Sequence, residues 1–369
     1  MWRDAGWVDE DLRIVDGVVA SEGGEPPAAD QVVIDGAGLL AAPGFIDLQC
    51  NGAVGIDLAS EPERLWELAG LLPRWGVTAW LPTIVTTPPE VIERALATLA
   101  EGPPPGFAGA TPLGLHLEGP FLAPGKRGAH PRPLLRSPDG AAASGWSRPA
   151  GVALVTLAPE LDGALDLVRD LVDRGVVVSL GHSAATADQA RAAVEAGATW
   201  VTHLFNAMAP LHHREPGLAG VALTDERLHV GLVADGVHVH PDVVRLAWRA
   251  LGARMTLVTD AVAALGLPPG EHPLGRATVV VQDDAVRLPD GTLAGSALSL
   301  DQAVRNCAAF TGCTAGDALS AASAGPARVL GDSGRGSLRP GRHGDVVLLT
   351  PALEVVATLV DGRIVHDAR

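Results

Sequence analysis

VVVSLGHSAATADQARAAVEAGATWVTHLF, residues 176–205, contains one complete unit of the fold. VVVSLGH (176–182) is a short apolar run of strand length, ADQARAAVEAG is an alanine-rich helical stretch, and WVTHLF (200–205) is a second apolar run. Strands without polar alternation are buried on both faces, so two such runs around a helix read as a parallel βαβ unit. The same pattern recurs on either side. GFIDLQ (44–49), VTAWLPT (77–83), LGLHLEG (113–119) and VALVTLAP (152–159) precede it; HVGLVAD (229–235) and MTLVTD (255–260) follow. Helical patterns separate several of these runs, such as SEPERLWELAGLLPRWG after the first. Eight such runs predict an α/β chain closed into a (β/α)8, TIM-like barrel. An open doubly wound sheet is the alternative, weakened by the absence of a GxGxxG turn after the first run.

The two ends read differently. LRIVDGVVAS and QVVIDGAG near the start, and GDVVLLT and LEVVATLVDGRIVHD near the end, are short β-like pieces with Gly/Asp turns. Residues 1–42 together with 336–369 are expected to form one small β-sandwich domain, and residues 43–335 the barrel. The Asp-Gly pairs at 16–17 and 361–362 are hairpin signals. GPPPG (102–106) reads as a loop.

Composition bounds the partners. Of the 369 residues 47% are hydrophobic and 19% charged, enough to bury a large core. The formal charge of -16 repels phosphate backbones, so nucleic acid and anionic membrane are not expected partners. No apolar run reaches spanning length, and the acidic start MWRDAGWVDEDLR does not read as a signal peptide; a cytoplasmic protein is expected. Cys50, Cys307 and Cys313 have no CxxC spacing and read as small buried hydrophobes. Lys126 is the single lysine.

Catalytic groups of such barrels sit at the C-terminal ends of the strands. Those ends carry Gln49 and Asn51 (first run), Glu118 (third), His182 (fifth), His203 (sixth), Asp235 and His238 (seventh) and Asp260 (eighth). One carboxylate and two imidazoles from three strands make the ligand set of a catalytic metal with a position left open for water. Asp260 is placed to take a proton from that water. Each residue alone has a plainer reading: a structural histidine, a loop carboxylate, a helix cap. Their joint placement favours the metal site. His116 reads as a packed barrel histidine, His212 and His213 as solvent-exposed, the tryptophans as core residues mostly at helical positions, and Lys126 with Arg127 as a solvated loop pair.

PGFIDLQCNG (43–52), HLEGPF (116–121), KRGAH (126–130), GHS (181–183), THLFNAM (202–208), REPGLAG (214–220), ADGVHVH (234–240), LVTDA (257–261) and LAGS (293–296) follow one another in order. In these motifs, from about Pro43 to about Leu300, the chain closely resembles the N-acetylglucosamine-6-phosphate deacetylases of the amidohydrolase superfamily. The resemblance implies that Glu118, His182 and His203 bind the metal, that Asp260 is general base and then general acid, and that His130 helps polarise the acetyl carbonyl. It implies substrate contacts from Ala129, His130, Asn206, Ala207, Leu293, Ala294 and Gly295. It implies a 6-phosphate held by Arg214 and His238, with Arg214 supplied by the neighbouring subunit of a homodimer.

Many amidohydrolases carry His-x-His on the first strand and bind two metals; here the segment is Gln49-Cys50-Asn51. Amides are weaker zinc ligands than imidazole, and the fourth run has no lysine to be carboxylated. One divalent metal per subunit is expected, zinc first, with Fe2+, Co2+ or Mn2+ as alternatives. Gln49 and Asn51 then lie behind the ligands or serve as ordinary hydrogen-bonding groups of the barrel mouth. The expected reaction is removal of the acetyl group from N-acetylglucosamine 6-phosphate. N-acetylgalactosamine 6-phosphate, another N-acyl substrate, and a non-catalytic scaffold are the alternatives.

Overall fold

A computed structural model describes residues 1–3, 6–20, 32–274, 277–282 and 285–369. Eight parallel strands form the barrel: β1 (Phe45–Cys50), β2 (Val77–Val85), β3 (Leu115–Glu118), β4 (Val152–Leu157), β5 (Val177–Leu180), β6 (Trp200–Val201), β7 (His229–Leu232) and β8 (Met255–Leu257). Each pairs in parallel with the next. The seam closes just past β8. There the Asp260 N–H donates to the Gln49 carbonyl at 2.9 Å and the Asn51 N–H to the Ala261 carbonyl at 2.7 Å. All eight apolar runs of the sequence are barrel strands. Their residues are almost wholly buried because the sheet is covered on both faces.

The interior below the mouth is polar. His116 Nε2 lies 2.7 Å from Thr156 Oγ1, which is 2.7 Å from Thr202 Oγ1, itself 2.6 Å from Ser179 Oγ. Burial, the largest influence, pushes His116 down to about 4, so the imidazole is neutral and can share this network without an unpaired charge.

The helices on the outside are α1 (Leu65–Leu71), α2 (Pro89–Glu101), α3 (Ala164–Asp173), α4 (Ala187–Glu195), α5 (Gly217–Thr224) and α6 (Pro241–Leu251). Local chemistry sets their limits. In α4 the Thr186 hydroxyl accepts from the Gln189 N–H while the Gln189 side chain accepts from the Thr186 N–H, a reciprocal cap. Buried Leu167, Val168 and Leu171 give α3 the i, i+4 stripe that docks it on the barrel. Between β3 and β4 there is no α-helix. Pro120, Pro124, Pro131, Pro133 and Pro138 interrupt that stretch, and only two 3-10 turns form, at Pro124–Lys126 and Arg132–Leu134.

After β8 the chain departs from the sequence reading. Gly270–Leu274, Ala277–Gln282, Ala285–Arg287 and Leu293–Ser296 form a four-stranded antiparallel sheet, with Val262, Ala264, Val279, Val281, Val286 and Ala294 in its own apolar cluster. Three helices follow: α7 (Leu300–Thr311), α8 (Ala315–Ala321) and α9 (Ala324–Val329).

The two ends of the chain meet. Leu40–Pro43, Val346–Leu349, Val355–Val360 and Arg363–Asp367 form one antiparallel sheet, and Met1, Leu338, Val346, Leu348, Ala357 and Leu359 form a cluster of their own. Both Asp-Gly pairs are hairpin turns, with left-handed backbone at Asp16, Gly17, Asp361 and Gly362. Residues 32–38 of QVVIDGAG form no strand, a correction to the expected sandwich, and residues 21–31 lie outside the described residues. Two further corrections concern side chains. Trp2, Trp7, Trp80 and Trp200 lie on strands, not helices, and Trp7 is exposed. Cys313 is only half-buried, whereas Cys50 and Cys307 are buried. Among the described residues no helix is long and apolar enough to cross a membrane.

Candidate active site and metal centre

Glu118, His182, His203 and Asp260 converge at the mouth from the ends of β3, β5, β6 and β8. Glu118 ends its strand in extended backbone. His182, His203 and Asp260 instead turn off their strands in the left-handed region, at φ of 49°, 30° and 49°. Non-glycine residues avoid this conformation, and its concentration at three strand ends is the strain expected where side chains are re-aimed for function.

The convergence is tight. Glu118 Oε1 lies 3.0 Å from His182 Nε2 and 3.1 Å from His203 Nε2, and the two Nε2 atoms are 3.0 Å apart. Glu118, His182 and His203 are 2%, 5% and 4% exposed. The other nitrogen of His182, Nδ1, lies 2.9 Å from the Lys126 carbonyl, which can only accept. Nδ1 therefore carries the hydrogen, and in the neutral ring Nε2 presents a lone pair to the Glu118 oxygen. Electron pairs facing one another at this distance call for a cation between them. Zinc–nitrogen bonds of about 2.0–2.1 Å in a tetrahedron set neighbouring ligand atoms about 3.3 Å apart, close to these separations. The residues fit a divalent metal. Burial works to raise the Glu118 carboxyl, but hydrogen bonds with His182 and His203 hold it well below the usual carboxylate range. For His203, burial lowers the ring and Glu118 more than reverses it.

His130 also reaches the cluster, its Nε2 3.9 Å from Glu118 Oε2. The Thr86 N–H donates to His130 Nδ1 at 3.3 Å, and the Thr86 hydroxyl lies 2.8 Å from the same atom. Burial, then the neighbouring His182, pushes His130 down to about 3, so the ring is neutral. With Nδ1 accepting, the hydrogen sits on Nε2. His130 thus faces the site as a donor and is a poorer metal ligand than His203.

Asp260 stands on the other side. Its Oδ1 accepts from Asn51 Nδ2 at 2.9 Å and from Gln49 Nε2 at 3.2 Å; the same Gln49 amide donates to Glu118 Oε1 at 3.1 Å. Oδ2 has no hydrogen-bond partner among the described residues. Burial, then the Glu118 charge, raises Asp260 to about 6, against the pull of His203, His238 and the Asn51 bond. A carboxylate tuned towards neutrality with one free oxygen is suited to taking and returning a proton. The strand Leu293–Ser296 runs beside it, its Ser296 N–H donating to the Asp260 carbonyl at 2.8 Å. Of the three residues expected there, Gly295 lies against the Asp260 carbonyl, Ala294 packs into the cluster of Val262 and Val279, and Leu293 pairs with Arg287.

The remaining expected residues are more dispersed. The Asn206 amide donates to the His203 and Leu204 carbonyls, and Ala207 has left-handed backbone on the same turn. Ala129 is exposed beside His130, and Arg127 is tied to its own loop through the His130 and Gly128 carbonyls. Arg214 is not brought to the cluster. It is exposed, with Nη1 2.8 Å from His213 Nε2, while Glu215 caps α4 at the Ala187 N–H. Sequence reasoning missed Thr86, the Lys126 carbonyl and Asp47. Buried Asp47 accepts from Thr259 Oγ1 at 2.6 Å directly beneath Asp260. A lone acid inside an otherwise apolar strand run, FIDLQ, was the available signal for Asp47.

The amidohydrolase family model matches residues 40–365. The N-acetylgalactosamine-6-phosphate deacetylase of Escherichia coli O157:H7 is 42% identical over 366 residues, 98% of this chain and 96% of that protein. The N-acetylglucosamine-6-phosphate deacetylase of Homo sapiens is 43% identical over 353 residues, 90% of this chain and 85% of that protein. The solved N-acetyl-D-glucosamine-6-phosphate deacetylase of Mycobacterium smegmatis superposes with a TM-score of 0.85 at 36% identity, covering 96% of this chain and 95% of that one. With its barrel, its carboxylate–imidazole cluster and this likeness along nearly its whole length, the chain belongs to the amidohydrolase family.

Proposed function

We propose that this protein hydrolyses N-acetylglucosamine 6-phosphate to glucosamine 6-phosphate and acetate, in amino-sugar breakdown. The observation that carries the reading is the meeting of Glu118, His182 and His203 within 3.1 Å of one another, with Asp260 beside them. One divalent ion per subunit, zinc by preference, would be held by those three side chains and would supply Lewis-acid activation of water and of the acetyl oxygen. Asp260 Oδ2 takes a proton from the attacking water. As the water oxygen bonds to the acetyl carbon, negative charge gathers on the acetyl oxygen, and His130 Nε2–H donates to it. The carbon–nitrogen bond then breaks, and Asp260 passes its proton to the departing amine. Gln49 and Asn51 keep the other Asp260 oxygen occupied throughout.

The substrate end of the reading uses Ala129, Asn206, Ala207, Leu293, Ala294 and Gly295 as sugar and acetyl contacts, and His238 with Arg214 as phosphate contacts. Arg214, exposed and without a carboxylate partner among the described residues, acts in a neighbouring subunit of a homodimer. Residues 43–335 form the catalytic unit, and residues 1–42 with 336–369 a small β-rich one; the separate cluster around Val346 and Leu359 supports that division. A cytoplasmic setting accords with three free thiols.

The test is acetate release from N-acetylglucosamine 6-phosphate, N-acetylgalactosamine 6-phosphate and plain N-acetylglucosamine, with metal content measured on the same preparation. A higher kcat/KM on the gluco than on the galacto 6-phosphate supports the named substrate. The reverse order transfers the activity to the galacto epimer, and no release from any of the three ends the proposal.

A further inference from the structure

Asp235 and His238 follow the end of β7 together, and His238 lines a cleft of about 340 Å³ with Phe205, Met208, Leu211 and Val243. Asp235 gives both carboxylate oxygens to this one turn. Oδ1 accepts from the backbone N–H groups of Val237 at 2.8 Å and His238 at 2.7 Å, and Oδ2 lies 2.6 Å from His238 Nδ1. Their side chains are only 3% and 6% exposed. His240, two residues on, is exposed beside Asp242 and shares none of this.

We propose that Asp235 is a positioning residue of the reaction: it fixes the His238 ring and serves as counter-charge to its imidazolium, so that His238 Nε2 presents a charged donor to the anionic group of the substrate. The inference rests on the reading above that the substrate carries a phosphate. A carboxylate on Nδ1 does two things, the second of which a neutral acceptor cannot. It fixes that nitrogen as a donor, and it stabilises a positive ring by opposing its charge. Both are needed in a chain of formal charge -16, where a dianion must be met by local cations. The three hydrogen bonds also have a plainer use, folding the turn. The Asn side chain separates the two uses, because its amide oxygen still accepts from the two backbone N–H groups but carries no charge.

The experiment compares wild type with Asp235→Asn. In the variant, the preference for N-acetylglucosamine 6-phosphate over plain N-acetylglucosamine falls about tenfold, through KM more than kcat, because one charge-assisted contact is lost. Nitrogen-15 spectra of His238 at neutral pH show an imidazolium in the wild type and a neutral ring in the variant. His238→Gln lowers the preference similarly, and the double variant adds little, as expected of one coupled unit. An Asp235→Asn enzyme with unaltered preference and an unaltered His238 spectrum overturns the proposal, as does an equal loss on both sugars, the mark of a folding role alone. A wild type indifferent to phosphate overturns the substrate reading instead, and the spectra still decide whether Asp235 sets the state of His238.

Discussion

Asn51 Nδ2 donates to Asp260 Oδ1 at 2.9 Å, and this bond fixes which oxygen of Asp260 is free to take a proton. In Asp260→Asn the fold and the three proposed metal ligands stay as they are, but the shuttle is gone. Turnover is expected to fall about 10²- to 10⁴-fold, the usual worth of a positioned acid–base group. Metal content by elemental analysis should be unchanged. Turnover near the wild-type value would remove Asp260 from the mechanism.

The cluster of Glu118, His182 and His203 contains three donors for one ion, and Gln49 is already committed to two carboxylates. Enzyme purified without chelator is expected to hold close to one equivalent of metal per chain. Chelation should lower the Tm as well as the activity, because an ion that binds only the folded state stabilises it by mass action. His203→Ala should lose both the equivalent and the Tm response. Two tightly held equivalents in the wild type would defeat the one-metal reading.

The eight strands were legible because a parallel sheet covered on both faces needs apolar runs, and FIDLQ, VVVSL and MTLVT are such runs. The candidate site was legible as strand-end identities: Glu118, His182, His203 and Asp260 all stand at the strand ends where a barrel gathers its polar groups. Which atoms meet was not legible. That depends on left-handed backbone at His182, His203 and Asp260, a conformation that propensity disfavours and only the surrounding fold enforces. The tautomer of His130 depends on Thr86, forty-four residues away in sequence. The sheet of residues 270–296 was missed because its strands are short and lie outside the strand–helix alternation of the barrel.

Asp47 provides a prediction in pH. Burial, the largest influence, raises it from 3.8 to about 7 against the hydrogen bonds from Thr259 and the Gln49 N–H. A carboxyl with a raised folded-state pKa holds its proton more tightly in the folded chain. Its contribution is therefore complete below about pH 4 and is lost as pH rises towards 7, at up to about 1.4 kcal/mol per pH unit. Asp47→Asn cannot ionise and lacks this dependence. Denaturant unfolding of both proteins from pH 5 to 8 should show the wild type losing ground to the variant as pH rises. Parallel curves would mean that Asp47 titrates in the fold as it does in the open chain.

Gly295 lies beside Asp260 with no room for a side chain. Its φ is +68°, and a Cβ there would come within 2.4 Å of Val262 Cγ1 and 2.9 Å of the Asp260 carbonyl oxygen. Both neighbours belong to the segment that aims Asp260, so Gly295→Ala must displace that segment or the strand Leu293–Ser296. The expected result is a loss of kcat of about 10²-fold, as for a misplacement of about 1 Å at a reacting group, with metal content retained. An Ala variant with wild-type kcat would show that the strand moves without carrying Asp260.

Arg214 permits a test that separates its two possible positions. On its own chain it is exposed, its guanidinium rests on His213, and no carboxylate among the described residues pairs with it. Arginine in that condition suits a phosphate, which its planar fork can bind through two parallel hydrogen bonds. If it serves the neighbouring subunit of a dimer, two defective chains can repair each other. Asp260→Asn has an intact Arg214 but no proton shuttle, and Arg214→Ala has the shuttle but not the arginine. Unfolding, mixing and refolding equal amounts yields dimers in which one site takes Asp260 from one chain and Arg214 from the other. Each such dimer carries one intact site of two, and random pairing makes about half of all dimers mixed. Activity at low substrate should therefore return to about a quarter of the wild-type value, while each variant alone stays far below that. Arginine acting within its own chain predicts no recovery, because no site in the mixture would then hold both residues. The same null result from a chain that stays monomeric by sedimentation would remove the dimer together with the shared arginine.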